Sequence, residues 1–71
     1  MNKVVEEWAI QGYTILTLDE KKPKRGYWKY IIDGEVYEYV PMTNIENCIA
    51  IKSPGRSLLG KTVEYVYEKD Q

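Results

Sequence analysis

The sequence predicts a β-dominated domain, and three observations carry that expectation. Five segments are rich in β-branched and aromatic residues, an Asp33-Gly34 pair stands between two of them, and Gly or Pro marks the longer connections. The expected architecture is a five-stranded antiparallel meander, curled into a small, partly open, barrel-like sheet. A short N-terminal helix is the preferred reading of the first residues. Strand order is not set by the sequence pattern.

Residues 2–11 fit two readings. As a helix, Asn2 would cap the start, Val4, Val5, Trp8 and Ala9 would share one face, and Gly12 would stand where a left-handed residue ends the helix. As a strand, Glu6 and Glu7 break the alternation. Ile10 falls off the helical apolar face, so the preference for helix is slight.

The strand-like segments run from Tyr13 to Leu18, Tyr27 to Ile32, Glu35 to Val40, Ile45 to Ile51 and Thr62 to Tyr67. Asp33-Gly34 between the second and third is a two-residue hairpin signal, because Gly accepts the positive φ of a type I′ turn. That turn predicts a register: Ile32 opposite Glu35, Ile31 opposite Val36, Tyr30 opposite Tyr37, Lys29 opposite Glu38, Trp28 opposite Tyr39 and Tyr27 opposite Val40. Trp28, Tyr30, Tyr37 and Tyr39 should then share one face. Tyr27, Ile31, Val36 and Val40 should share the other, around a Lys29/Glu38 pair. In the last segment Val63, Tyr65 and Tyr67 alternate with Thr62, Glu64, Val66 and Glu68, as in a strand buried on one side.

Seventy-one residues hold one domain, residues 1–71, with neither linker nor repeat. A chain of this size buries only roughly 60% of its unfolded surface, and it has no disulfide to staple it. Association with a partner, or a homodimer, is therefore expected. The single cysteine, Cys48, lies in the apolar string Cys48-Ile49-Ala50-Ile51 and reads as a small buried hydrophobe. No signal-like or bilayer-length apolar run is present, which with the lone thiol leads to the expectation of a soluble, cytoplasmic protein. Eight lysines against two arginines, with frequent isoleucine, hint at an AT-rich bacterial or phage origin.

Histidine is absent, which removes the histidine general base, Ser/His and Cys/His dyads and His-containing zinc sites. The adjacent carboxylates Glu6/Glu7 and Asp19/Glu20 do not amount to an acid/base constellation without a pocket or metal. The segment Gly55-Arg56-Ser57-Leu58-Leu59-Gly60-Lys61-Thr62 satisfies the phosphate-loop pattern G-x-x-x-x-G-K-[ST]. That chemistry needs a helix directly after the lysine, whose N-terminal N–H groups hold the phosphates, and Val63-Glu64-Tyr65-Val66-Tyr67 alternates as a strand instead. Neither enzyme activity, nor a cofactor, nor a metal is expected.

Binding is the remaining class. Net charge is −1, so nonspecific duplex binding is not favoured. Seven of the ten basic residues nevertheless fall in two loops, residues 19–26 and 52–61: Lys21, Lys22, Lys24, Arg25, Lys52, Arg56 and Lys61. Seven tyrosines and two tryptophans, with no phenylalanine, supply rings that suit either a core or a recognition surface. The leading expectation is a non-catalytic module that acts stoichiometrically on a protein partner, as a regulator or inhibitor. The alternative is nucleic acid, a nucleotide or a phosphorylated small molecule held by the basic loops over an aromatic floor of Trp28, Tyr30, Tyr37 and Tyr39.

Overall fold

Six strands form within residues 1–68, the part of the chain that the computed structural model describes. They are β1 (Val4–Ile10), β2 (Tyr13–Leu18), β3 (Tyr27–Ile32), β4 (Glu35–Glu38), β5 (Cys48–Lys52) and β6 (Val63–Tyr67). All neighbours are antiparallel, in two three-stranded sheets ordered β1-β2-β5 and β4-β3-β6. The β-dominated, antiparallel class expected from the sequence is thus present, with a sixth strand and a strand order that is not consecutive. Each hairpin is extended by a strand from later in the chain, β5 beside β2 and β6 beside β3.

Residues 2–11 form no helix; this corrects the preferred reading of that segment. Gln11 and Gly12 both have positive φ, 46° and 87°, so the pair makes a primed turn that returns β1 onto β2. A bulge between Val4 and Glu6 inserts Val5 as an extra residue. Glu7, opposite the buried Leu16, takes an inner position where it accepts from Ser57 and Leu58, and this accounts for the broken alternation that weakened the strand reading. Asp33 and Gly34, with φ of 54° and 84°, form the expected turn, and the register from Ile32↔Glu35 to Lys29↔Glu38 is as read from the sequence.

The Trp28–Tyr39 step also holds, with Tyr39 N–H donating to the Trp28 carbonyl at 3.3 Å, and the expected register fails only at Tyr27 and Val40. A bulge between Tyr27 and Lys29, opposite β6, turns Tyr27 inward and Trp28 outward, and Val40 pairs with Ala50 of β5 rather than with Tyr27. Of the four aromatics expected on one face, Tyr30, Tyr37 and Tyr39 stay together, the Tyr39 ring centroid 6.4 Å from that of Tyr30, and Trp28 leaves them. Tyr30 is buried and Tyr37 half-buried, whereas Trp28 and Tyr39 are 46% and 45% exposed.

The inner faces of the two sheets pack on one another. Val4, Leu16, Leu18, Ile49 and Ile51 come from the first sheet, Tyr30, Ile32 and Val63 from the second, and Leu58 plugs one end from the loop before β6. Tyr27 joins Tyr30 and Tyr65 with ring centroids 5.7 and 5.1 Å away, so tyrosine fills the volume that phenylalanine fills elsewhere. Burial pushes the Tyr30 and Tyr65 phenols well above the usual tyrosine value. Cys48 is buried with Ile15 and Ala50 on the outer side of the first sheet, packed by Val40.

Single bridges join the sheets at two corners, Lys3↔Thr62 and Val40↔Ala50, without closing a barrel. At the first corner Val4 N–H donates to the Lys61 carbonyl at 2.9 Å and Gly60 N–H to the Val4 carbonyl at 2.8 Å. No helix among the described residues is long and apolar enough to cross a membrane.

Candidate binding surfaces

The two basic loops bear on opposite ends of β3, although the start of the first and the end of the second both bond to Lys3-Val4. The first leads into β3 at Tyr27 and the second packs against the far end of that strand, at Asp33, six residues and roughly 20 Å along. Their cations also have different company.

In the second loop, Arg56 donates to Asp33 at 2.8 Å and lies 3.9 Å from Glu35, while Lys61 lies 3.7 Å from Asp33. The Arg56 hydrogen bond holds the Asp33 carboxyl below its ordinary value, with the Lys61 charge adding to the effect. On its other flank the loop is held by Glu7, which accepts from Ser57 Oγ at 2.6 Å and from Leu58 N–H at 2.9 Å. These two hydrogen bonds, the Leu58 amide foremost, lower the Glu7 pKa. Arg56 and Lys61 thus fasten a loop over the core. No helix follows Lys61: Val63–Tyr67 is antiparallel to β3, so the geometry that a phosphate loop requires is not formed.

The first loop is partly structural as well. Lys22 reaches inward, its ammonium donating to the Cys48 carbonyl at 2.6 Å and the Thr43 carbonyl at 3.2 Å, and burial lowers its pKa. Lys21 pairs with Glu46 at 3.3 Å on the surface. Lys24 and Arg25 are exposed and have no ion pair among the described residues. Asp19 and Glu20 face the Met1 ammonium, and Asp19 also accepts from Lys3 N–H at 2.8 Å, which lowers its pKa. A cleft of about 260 Å³ opens here, with Lys22 and Lys24 on one wall and Tyr27 and Tyr39 on the other. The structure therefore brings together Lys22, Lys24 and Tyr39 of the residues singled out from sequence. Trp28 lies apart, under the Lys29 ammonium at 4.4 Å.

Sequence reasoning missed the outer face of the first sheet, because half of it comes from the segment read as helix. Directly paired residues in a sheet point the same way, so Trp8, Ile15, Ala50 and Val40 form one outward row and Ile10, Tyr13 and Lys52 the next. Trp8 and Ile10 remain 42% and 40% exposed. Between β4 and β5 this face runs into a groove of about 360 Å³, mostly apolar, lined by Tyr13, Val36, Tyr37, Val40, Glu38 and Lys52.

Among the described residues no group of three or more His, Cys, Asp or Glu side chains is placed to hold a metal ion. Compared with known proteins, the chain matches no family model, no curated protein and no solved structure.

Proposed function

We propose that this chain is a small binding module that acts stoichiometrically, without turnover, on a protein partner, in the manner of a regulator or inhibitor of a larger enzyme. One observation carries the reading: Trp8, Ile10, Tyr13 and the Val36/Val40 groove make a connected apolar surface on a chain with little apolar area to spare. Aromatic anchors beside a groove are what a protein interface needs at its centre. Affinity capture from the native host, with the 71-residue chain as bait, tests this. A protein complex of defined stoichiometry is expected; recovery of nucleic acid or nucleotide with no protein would overturn the reading.

The cleft at the first loop supports a second reading, a phosphorylated ligand or single-stranded nucleic acid. Lys24 would face phosphate and the exposed Tyr39 ring would stack on a base. Binding of this kind must weaken steeply as salt is raised. Salt-insensitive affinity would exclude the nucleic-acid form of it.

A further inference from the structure

The Asp33-Gly34 turn carries a chemistry that neither binding reading uses. An aspartate followed by glycine can close on itself, because glycine has no side chain to hinder attack by its amide nitrogen on the aspartyl carboxyl carbon. Here the nucleophile is open. Beyond its chain neighbours, a Cβ at Gly34 would meet nothing within 4 Å, and the Gly34 N–H donates no hydrogen bond among the described residues. The electrophile is held. Arg56 donates to Oδ2 of Asp33 at 2.8 Å and the Lys61 ammonium lies 3.7 Å from Oδ1, so each carboxylate oxygen faces its own cation. Both cations come from the loop before β6, which Glu7 fastens on the other flank through Ser57 and Leu58.

Ring closure needs the neutral carboxyl. Gly34 N attacks Asp33 Cγ and the N–Cγ bond forms, while the amide proton and the carboxyl hydroxyl depart as water and leave a cyclic imide. Solvent water then opens the imide. Breaking the new N–Cγ bond restores aspartate; breaking the original peptide N–C bond leaves an isoaspartyl linkage, in which the main chain runs through the side-chain methylene. Two cations against the carboxylate keep it charged, and a charged carboxylate is a poor electrophile with no hydroxyl to lose. The 2.8 Å hydrogen bond also restrains the carboxyl rotation that closure uses.

We propose that Asp33-Gly34 is a site of spontaneous isoaspartate formation and that Arg56 and Lys61 guard it, so that the modification is gated by closure of the loop before β6. Its consequence reaches the core. An isoaspartyl residue adds a main-chain carbon to a two-residue turn, and that turn, with φ of 54° and 84°, sets the ladder from Ile32 to Lys29. Tyr30 and Ile32 of that ladder are buried between the sheets. The cations of the phosphate-loop-like segment thereby gain a role that involves no phosphate and holds whatever the chain binds.

The test ages the folded full chain beside Arg56→Ala and the double variant Arg56→Ala/Lys61→Ala in neutral and mildly acidic buffer, and counts isoaspartyl peptides by digestion and mass spectrometry. Amide exchange across β3 and β4 records whether the hairpin stays closed. Arg56→Ala is expected to isomerise about twofold to fivefold faster than the parent and the double variant about tenfold faster, the factors that one and two exposed charge pairs supply, with hairpin exchange unchanged. Raised salt should speed the parent and leave the double variant alone. If the variants do not fold, the parent decides it, since a rate indifferent to salt overturns the guard. Equal rates in parent and double variant, or acceleration that appears only where hairpin exchange rises in step, would also overturn it, the latter by making local unfolding the cause. Failure of the urea-unfolded chain to isomerise at Asp33 would overturn the site itself.

Discussion

Leu58 and Leu59 are neighbours in the loop before β6, one fully buried and the other 52% exposed, and replacing each with alanine separates what the loop does from what it is. For Leu58→Ala the lost transfer energy is about 2.4 kcal/mol, three carbon groups at roughly 0.8 each, and an incompletely collapsed cavity brings the total to about 3–4 kcal/mol. A 71-residue domain has on the order of 4–11 kcal/mol in all. The variant is therefore expected to melt about 12–30 °C lower, at about 4–8 °C per kcal/mol, or to be largely unfolded at room temperature. Near-ultraviolet dichroism, which follows the buried tyrosines, and urea titration read this directly. Leu59→Ala should stay within about 0.5 kcal/mol of the parent. A loss below about 1 kcal/mol for Leu58→Ala, or equal losses for the two, would refute the role of Leu58 as a plug held in place by Glu7.

Tyr65 has a buried hydroxyl with no hydrogen-bond partner among the described residues, so Tyr65→Phe is expected to raise stability by about 1 kcal/mol, measured by urea unfolding. The Tyr30 and Tyr65 phenols are raised in the folded state and at their ordinary value when unfolded. Their contribution is fully present below pH of about 10 and is lost as pH rises beyond it, so melting temperature should fall in alkali while both rings resist ionisation until unfolding, as followed by tyrosinate absorbance. Glu7 runs the opposite way: lowered in the fold, it stabilises above its unfolded value, and that contribution disappears as pH falls through the folded one. Glu7→Gln should flatten the melting curve's dependence on acid in that range. Gln11 occupies a left-handed position that asparagine tolerates better, and Gln11→Asn is expected to raise melting by about 3–6 °C, the effect of about 0.5–1 kcal/mol.

Where a turn announces itself by composition, the sequence was legible down to the register. Asp33-Gly34 has the residue types that a primed turn requires, and four pairs of the β3–β4 ladder follow from it. Gln11-Gly12 adopts a similar turn without the usual first residue, and Glu7, placed opposite Leu16 to receive Ser57 and Leu58, breaks the alternation that would have exposed β1. The bulge at Trp28 depends on β6, nearly 40 positions later, and nothing local to Tyr27 signals it. The surroundings of the candidate cations were illegible for a related reason. Arg56 finds Asp33, and Lys22 finds the Cys48 and Thr43 carbonyls, across separations that composition cannot reveal, so cations that read as free are largely engaged. Lys24, Arg25 and the exposed rings of Trp28 and Tyr39 stayed available, while the apolar face around Trp8 and Ile10 emerged only once β1 paired with β2.

The central claim is that a protein partner covers the apolar outer face and the β4–β5 groove. Ile10 and Val36 are exposed at its two ends, and neither contributes to the buried core. Calorimetric titration of the captured partner into the parent chain, Ile10→Lys, Val36→Lys and Lys24→Glu, with melting temperatures measured alongside, addresses the claim most directly. The expected result is a loss of about tenfold or more in affinity for Ile10→Lys and Val36→Lys, with folds intact and with Lys24→Glu unchanged. Full affinity in the first two, with loss confined to Lys24→Glu, would contradict it and move the interface to the basic cleft.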